Sequence, residues 1–517
     1  MRRVAAVLGI DLGTSQVKAV VVGAGGETLG RGRAGYPVNA PAEGHAETDP
    51  DEWWRATVSA VREALAAAAA GGTRSGQGGD AAAGGDAGAS GGLEVVGVGV
   101  DGQMHGVVLA DKDGSAVRPA ILWLDRRAAA EAARYERLPA ELTAPLGNQA
   151  SAGMAGPILC WLAAHEPEAM RRARWALQPK DWLRLRLTGR AATDPTDASG
   201  TLLFDLPRGA WAEDLIAALG LPADKLPPVL ASAAIAGRLL PGPASELGLA
   251  AGIPVATGAA DTAAALYAAV PDTADPGTGL GAEAGRPALA DGNWALVTVG
   301  TGGQWVVPEG RFRPVPNTNL FLAVGGGFYR LAAAQNVGAA LGWVRGVFGV
   351  SWQELYDTAG RPWRAGTPVF VPYLAQERWD RAATGTWTGL TLAHTKDDLL
   401  RGALEGVAFL LRRRLEDLRA AGHHPEAAII GGGGASHPAW RQLLADVLGL
   451  PLHPADTSWL SAAGAARVAV AVAAAGMGGT GDGWVRSGYE KAAAVVPGER
   501  NAASAGYDRF THQLSAS

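Results

Sequence analysis

The chain has 517 residues, 48% hydrophobic and 18% charged, with a formal charge of −5. That length allows two large domains or about three of ordinary size, and the apolar share supports a sizeable core and excludes wholesale disorder. The mild negative charge argues against nucleic-acid and membrane-surface partners, which need a basic footprint, and leaves small-molecule chemistry open.

The apolar run Val4–Ile10 is too short for an export signal and ends on Asp11. No stretch reads as the ~18 apolar residues of a membrane span; Val468–Ala475 comes nearest and is preceded by Arg467. A soluble, cytoplasmic protein is expected. Val4–Ile10 and Val17–Val22 read as strands of a hairpin turning through Asp11-Leu12-Gly13-Thr14. Asp49-Pro50-Asp51-Glu52 opens a helix that runs to about Ala70. Residues 71–92 are Gly, Ala, Ser and Asp almost throughout, as are Pro, Gly, Ala and Asp in 271–292, so both are expected to be flexible surface insertions. Leu93–Val100 and Val255–Gly258 read as strands, and Ala259 to Ala268 as a turn into a helix. Cys160, the one cysteine, allows no intrachain disulfide and no cysteine zinc site, and reads as core among Ile158, Leu159 and Trp161. Trp294–Val299 and Gln304–Val307 make a second hairpin. In the long helix Thr395–Ala421, Leu400, Leu404, Val407, Leu411, Leu415 and Leu418 recur at helical spacing, and Gly422 stops it. Ala427–Ile430 is a strand into a glycine turn, followed by a helix over Ala439–Leu448. Arg412-Arg413-Arg414 reads as a solvated helix face, His423-His424 as a helix end interacting with the last carbonyls, and Trp161, Trp182 and Trp343 as core. Trp53-Trp54 suits either a packed helix or a subunit face. Two strand–Gly-Thr–strand units, at Gly13 and Gly300, suggest two related lobes.

Glycine turns after strands can aim several backbone N–H groups at one anion. Three fit: Asp11 to Thr14, Gly300 to Gly303 and Gly431 to Gly434. None is a Walker A loop, because no Gly-Lys-Ser/Thr triplet occurs, and the dinucleotide fingerprint is not met. A carboxylate among phosphate-binding amides repels its ligand, so Asp11 makes sense beside Mg²⁺. Asp261 reads either as an acid favoured by a helix N-terminus or as a general base for a substrate hydroxyl. Asp101-Gly102-Gln103-Met104-His105-Gly106 ends a strand in polar residues suited to a small-ligand lip. His105 could be a base, a donor to a sugar hydroxyl or a plain loop histidine.

Leu8–Ser15, Gly102-Gln103-Met104-His105-Gly106, Pro179–Gly189, Thr193–Gly200, Ile429–Gly434 and Gly464-Ala465-Ala466-Arg467 together resemble the FGGY carbohydrate kinases over nearly the whole chain. The resemblance implies an α/β fold of two actin-like (ribonuclease-H-like) lobes with an interlobe cleft. It places the sugar-binding lobe at 1–255 and the ATP-binding lobe at 256–517. It makes Asp11 the Mg²⁺-associated aspartate, Asp261 the base, and Met104 and His105 the sugar contacts. Gly13, Thr14, Gly300, Thr301 and Gly302 would receive phosphates, and Gly432, Gly433 and Gly434 the adenosine. The implied reaction is attack of a sugar hydroxyl on the γ-phosphorus of ATP, with Asp261 taking the proton, the two acids coming from opposite halves of the molecule and lobe closure excluding water. The Gln-Met-His-Gly segment points to a ketopentose, D-xylulose foremost, giving the 5-phosphate; another ketose or a polyol, or a non-catalytic sensor, are the alternatives. The partners expected are sugar and ATP, with no nucleic acid and no membrane, and a homodimer is left open. The sequence departs from the family at Thr262 (usually Asn), Gly302 (Ser), Ile158 (Lys), Leu124 (Asn) and Trp379-Asp380 (Thr-Pro). A lost polar group at a sugar pocket can change which hydroxyls are read.

Overall fold

A computed structural model describes residues 4–72, 92–269, 293–477 and 494–516, apart from 363, 365, 376, 378–383 and 499. Residues 73–91 and 270–292, most of the two expected insertions, and the Arg378-Trp379-Asp380 departure lie outside them. The chain divides into two units: residues 1–288, 321–328 and 459–488, and residues 289–320, 329–458 and 489–517.

The first unit is built on β1 (Val4–Leu12), β2 (Gln16–Gly23) and β3 (Thr28–Gly35), joined by tight turns into an antiparallel meander. Helix α1 (Pro50–Gly72) packs on β3 and β2, burying Trp53 and Trp54. That settles the tryptophan pair as core. β4 (Leu93–Gly102) returns parallel to β1, with Asp11 opposite Asp101. Further on come β5 (Ile235–Arg238), β6 (Pro254–Ala256) and the short β7 (Ala259–Ala260). The sheet order is β5-β6-β4-β1-β2-β3, with β7 also paired to β4. Helix α2 (Asp261–Ala269) follows β7 without a break.

Residues 256–269, expected in the C-terminal lobe, therefore belong to the first unit. β6 and β7 hydrogen-bond to β4, and α2 packs on the helix Leu460–Met477, which itself lies on β4 and β1. That helix, also expected in the C-terminal lobe, is long and apolar enough to cross a membrane, contrary to the expectation that no segment is. Its small residues let it sit close: a Cβ on Gly99 would lie 1.9 Å from the Ala465 carbonyl oxygen. Its composition is thus explained by packing against a sheet.

The second unit repeats the plan. β8 (Trp294–Val299), β9 (Gly303–Glu309), β10 (Asn319–Leu322), β11 (Phe328–Ala334), β12 (Ala427–Gly431) and β13 (Leu452–Pro454) form a sheet in the order β10-β11-β9-β8-β12-β13. β8 pairs antiparallel with β9 and parallel with β12, as β1 does with β2 and β4. The helix Lys396–Ala420 starts at a Thr395/Asp398 capping box and buries all six expected leucine and valine positions. Fully burying each such side chain is worth roughly 1.5–3 kcal/mol.

Two expectations are corrected. Arg414 is buried and paired with Asp417 at 3.2 Å, and Arg412 lies over the Tyr507 ring at 4.2 Å, so the arginine run is not simply a solvated face. Trp343 is 48% exposed, outside the core that holds Trp182. His423 follows the helix end as expected, its N–H donating to the Leu418 carbonyl at 3.0 Å, and its ring also reaches Glu309, with Nε2 and Oε2 3.1 Å apart. Cys160 is buried as expected, and burial pushes its thiol up to about 11, away from reactivity.

Candidate active site

In the first unit, the chain reversal after β1 places Asp11 at the strand's carboxyl end, 4% exposed. The turn is pinned from outside. The Gly13 N–H donates to the Gln16 carbonyl, the Tyr36 hydroxyl to the Gly13 carbonyl, and the Trp123 Nε1 to the Thr14 Oγ1 at 3.0 Å. β4 ends beside it on Asp101, and β7 runs beside β4 into Asp261. Three carboxyls therefore gather at the ends of adjoining parallel strands, the usual place for a ligand in such sheets. Asp11 and Asp261 thus come from one unit, not from opposite halves as expected, because α2 follows a strand of the first sheet.

Asp261 is half-buried, and its Oδ1 accepts hydrogen bonds from the Thr262 N–H at 2.6 Å and Thr262 Oγ1 at 3.1 Å. Burial, then the negative charge of Asp11, push its pKa up to about 7, against the lowering pull of the Thr262 donors and Lys18. Asp101 is wholly buried; burial and the charges of Asp11 and Asp261 hold its pKa well above the usual carboxylate range. The one cation at the cluster among the described residues is Lys18, whose Nζ is 3.4 Å from Asp11 Oδ2. Among the described residues no three His, Cys, Asp or Glu side chains are grouped to hold one metal ion.

Met104 and His105 are both buried. His105 has φ +72°, an uncommon conformation for a residue other than glycine, and its Nδ1 lies 2.7 Å from the Gly200 carbonyl oxygen. Its ring packs against Phe321 at 5.8 Å. Gln103 is 1% exposed, and among the described residues neither end of its amide has a hydrogen-bond partner. A buried unpaired amide is unfavourable unless a ligand or water meets it.

A buried ionic cluster underlies this unit's site. The Lys180 ammonium lies 2.6 Å from Asp181, 2.9 Å from Asp194 and 3.2 Å from Asp197, all of them fully buried. Burial alone would lower the lysine's pKa; the three carboxylates raise it instead. Asp194 Oδ2 accepts from Thr196 Oγ1 and Ser232 Oγ, and Thr196 Oγ1 in turn accepts the Ala260 N–H at 2.8 Å. The cluster thus fixes the strand that delivers Asp261. Lys180 and Asp194 stand inside the motifs quoted above, but nothing in their spacing reveals that they meet. Leu124 is exposed, while its neighbour Asp125 is buried and bonded to Arg127 and to the Ala46 N–H. Ile158 is fully buried core.

In the second unit, Gly300, Thr301, Gly433 and Gly434 line one cavity of about 790 Å³. Two of the expected turns therefore converge. Gly302 and Gly432 do not line it and serve the turns themselves. Gly432 has φ +98°, and a Cβ there would stand 2.4 Å from the Val299 carbonyl oxygen. The rest of the lining was not foreseen: Trp352, Gln353, Tyr356, Ser436 and His437. Tyr356 stacks with Trp352 at 5.5 Å and with His437 at 5.6 Å between ring centroids. Aromatic rings and glycine turns lining one cavity suit a heterocyclic base joined to phosphates. The sequence signal was slight: His437 and Pro438 shortly after a glycine turn. Glu377, buried and accepting the Gln335 and Asn336 N–H groups, braces the strand exit leading to this lining.

Comparison with known proteins agrees with this geometry. Residues 6–268 match the N-terminal domain model of the FGGY family of carbohydrate kinases, and residues 293–473 its C-terminal domain model. The chain is 32% identical to a xylulose kinase of Escherichia coli K12 over 86% of its own length and 85% of the relative's. It is 30% identical to one from Bacillus subtilis over 96% and 93%. A crystal structure described as a xyloylose kinase from Brucella ovis superposes with a TM-score of 0.83 at 28% identity, covering 99% of both chains. A xylulose kinase from Rhodospirillum rubrum gives 0.81 at 25% identity, covering 99% of this chain and 98% of that one. With two domain models covering most of its length, the chain belongs to the FGGY family of carbohydrate kinases, and its fold is the two-domain actin-like fold of that family.

Proposed function

We propose that this sugar kinase transfers the γ-phosphoryl group of ATP to D-xylulose, giving D-xylulose 5-phosphate. The observation that carries the reading is Asp261, held by Thr262 beside Asp11 with its pKa raised to about 7, where a carboxylate is basic enough to take a hydroxyl proton. The choice of D-xylulose leans on relatives described as xylulose kinases.

In this reading the second unit's cavity holds the nucleotide. Its base lies against Tyr356 and Trp352, and its phosphates meet the amides of Gly300, Thr301, Gly433 and Gly434. Gly302 and Gly432 keep their turns in shape, so the serine hydroxyl usual at Gly302 is not missed as a cavity donor. The sugar lies by Met104, His105 and the unpaired Gln103 amide. Asp261 accepts the hydroxyl proton as the oxygen attacks phosphorus. A divalent cation, Mg²⁺ in the family, would be held at Asp11 and would neutralise charge on the phosphates. Asp101, buried beside Asp11 and without a donor, fits a cation there. A cytoplasmic setting goes with these substrates.

The test is ADP release from ATP and Mg²⁺ with a panel of pentuloses, hexuloses and polyols. D-Xylulose should raise the rate most, and no stimulation by any of them would sink the proposal. A second ketose or polyol outrunning D-xylulose would leave a kinase of different substrate. Ketose binding without any turnover would favour the sensor reading.

A further inference from the structure

Asp101 is the one carboxyl of the cluster to which the reaction assigns no step. It stands opposite Asp11 in the parallel register, wholly buried, and among the described residues no donor reaches either of its oxygens. Asp11 is within hydrogen-bonding reach, so without a cation the two carboxyls share a proton, Asp101 donating to Asp11. The third neighbour, Asp261, is also acidic, and the Lys18 ammonium is bonded to Asp11. A carboxyl buried in this way holds either a proton or a cation, and a cation that meets both Asp11 and Asp101 takes the proton's place. Residues in register on adjoining parallel strands project to the same face of the sheet, so Asp11 and Asp101 direct their oxygens to the same side.

We propose that Asp101 is a second protein ligand for the divalent cation at Asp11, so that the first unit holds the cation on two carboxylates before a nucleotide arrives. The inference rests on the kinase reading only in placing a cation at Asp11. Mg²⁺ is usually bound by one or two carboxylates, with water and substrate phosphate completing an octahedron. Two strand-end carboxylates meet that pattern without the third protein ligand that the cluster lacks. A second carboxylate strengthens the hold of the protein alone on the cation, so the proposal requires measurable cation binding before nucleotide is added.

The experiment titrates the full chain with Mn²⁺, without nucleotide or sugar, and follows the free ion by electron paramagnetic resonance. The unaltered chain should take up one Mn²⁺. Asp101→Asn, which keeps the shape and removes the charge, should bind it at least tenfold more weakly, and Asp11→Asn should do the same. Asp101→Ser serves as a second variant if the amide disturbs folding, which a thermal melt would show. Two results overturn the inference: Mn²⁺ affinity unchanged by loss of the Asp101 charge, or no Mn²⁺ bound by the unaltered chain until nucleotide is added. The second can be read without any variant. Either result leaves the kinase reading standing if sugars stimulate ADP release. Conversely, a silent sugar panel with Mn²⁺ binding lost in Asp101→Asn would sink the kinase reading and keep the cation site.

Discussion

The two sheets share one plan and carry opposite chemistry. Each has a hairpin whose first strand pairs in parallel with a later strand. Near the ends of those strands, Asp11 faces Asp101 in the first unit and Thr298 faces Gly431 in the second. The first pair is doubly acidic; the second is neutral and small. Bare amides at a strand end attract phosphate, and the same amides beside two carboxylates repel it unless a cation intervenes. The second turn is therefore fitted to bind a nucleotide, and the first to handle a cation and a proton. The same backbone is put to two uses by the side chains at a few strand-end positions.

Removing the base breaks the comparison most sharply. Asp261→Asn should lower kcat by about 10²- to 10⁴-fold, the usual worth of general-base catalysis, and leave nucleotide affinity within a few-fold in a binding titration. It should also raise the melting temperature above neutral pH. The sign follows from the raised pKa: ionisation is harder in the folded chain than in the unfolded one, so the stability Asp261 contributes at low pH is lost as pH climbs from about 4 to about 7. An asparagine has no such loss.

Breaking the support beneath the base comes next. Lys180→Met leaves three buried carboxyls facing one another and should destabilise the chain by about 3–5 kcal/mol, read by denaturant unfolding. If the unfolding midpoint barely moves, the cluster is not the brace described above.

On the nucleotide side, Trp352→Ala removes the exposed ring that lines the cavity and stacks on Tyr356. Stacking of a base on an aromatic ring is worth about 1–3 kcal/mol, so KM for ATP should rise on the order of ten-fold while KM for the sugar stays put. The smallest effect belongs to Thr262. Thr262→Val deletes one hydroxyl donor to Asp261 and keeps the backbone one, so the acidic limb of the pH profile should move upward by a fraction of a unit.

How much of this could be read from the chain alone differs between the two units. Strong periodicity gave away the hairpins and the long helix with its buried Leu400 to Leu418 face, and the three glycine turns stood out because each follows an apolar strand. The domain boundary did not, since β7 and the helix Leu460–Met477 join the first sheet through hydrogen bonds and packing between residues hundreds of positions apart. For the same reason Asp11 and Asp261 looked like partners from different halves. Asp101 sat in view at a strand end, yet only the register with Asp11 reveals its role. Lys180 and its three acids, and the aromatic wall around Tyr356, are tertiary meetings that no local pattern encodes. Trp343 misled because helical spacing marks a face without saying whether anything covers it.

The division of labour between the two turns is tested most directly by following kcat/KM for the sugar and the affinity for nucleotide across pH 5 to 9 on the unaltered chain. Asp261 must be ionised to act, so kcat/KM should fall about tenfold per unit below a pKa near 7 and level off above it, while nucleotide affinity at the glycine-lined cavity shows no matching step. A flat kcat/KM profile, or a nucleotide affinity that falls in parallel with it, would contradict the account.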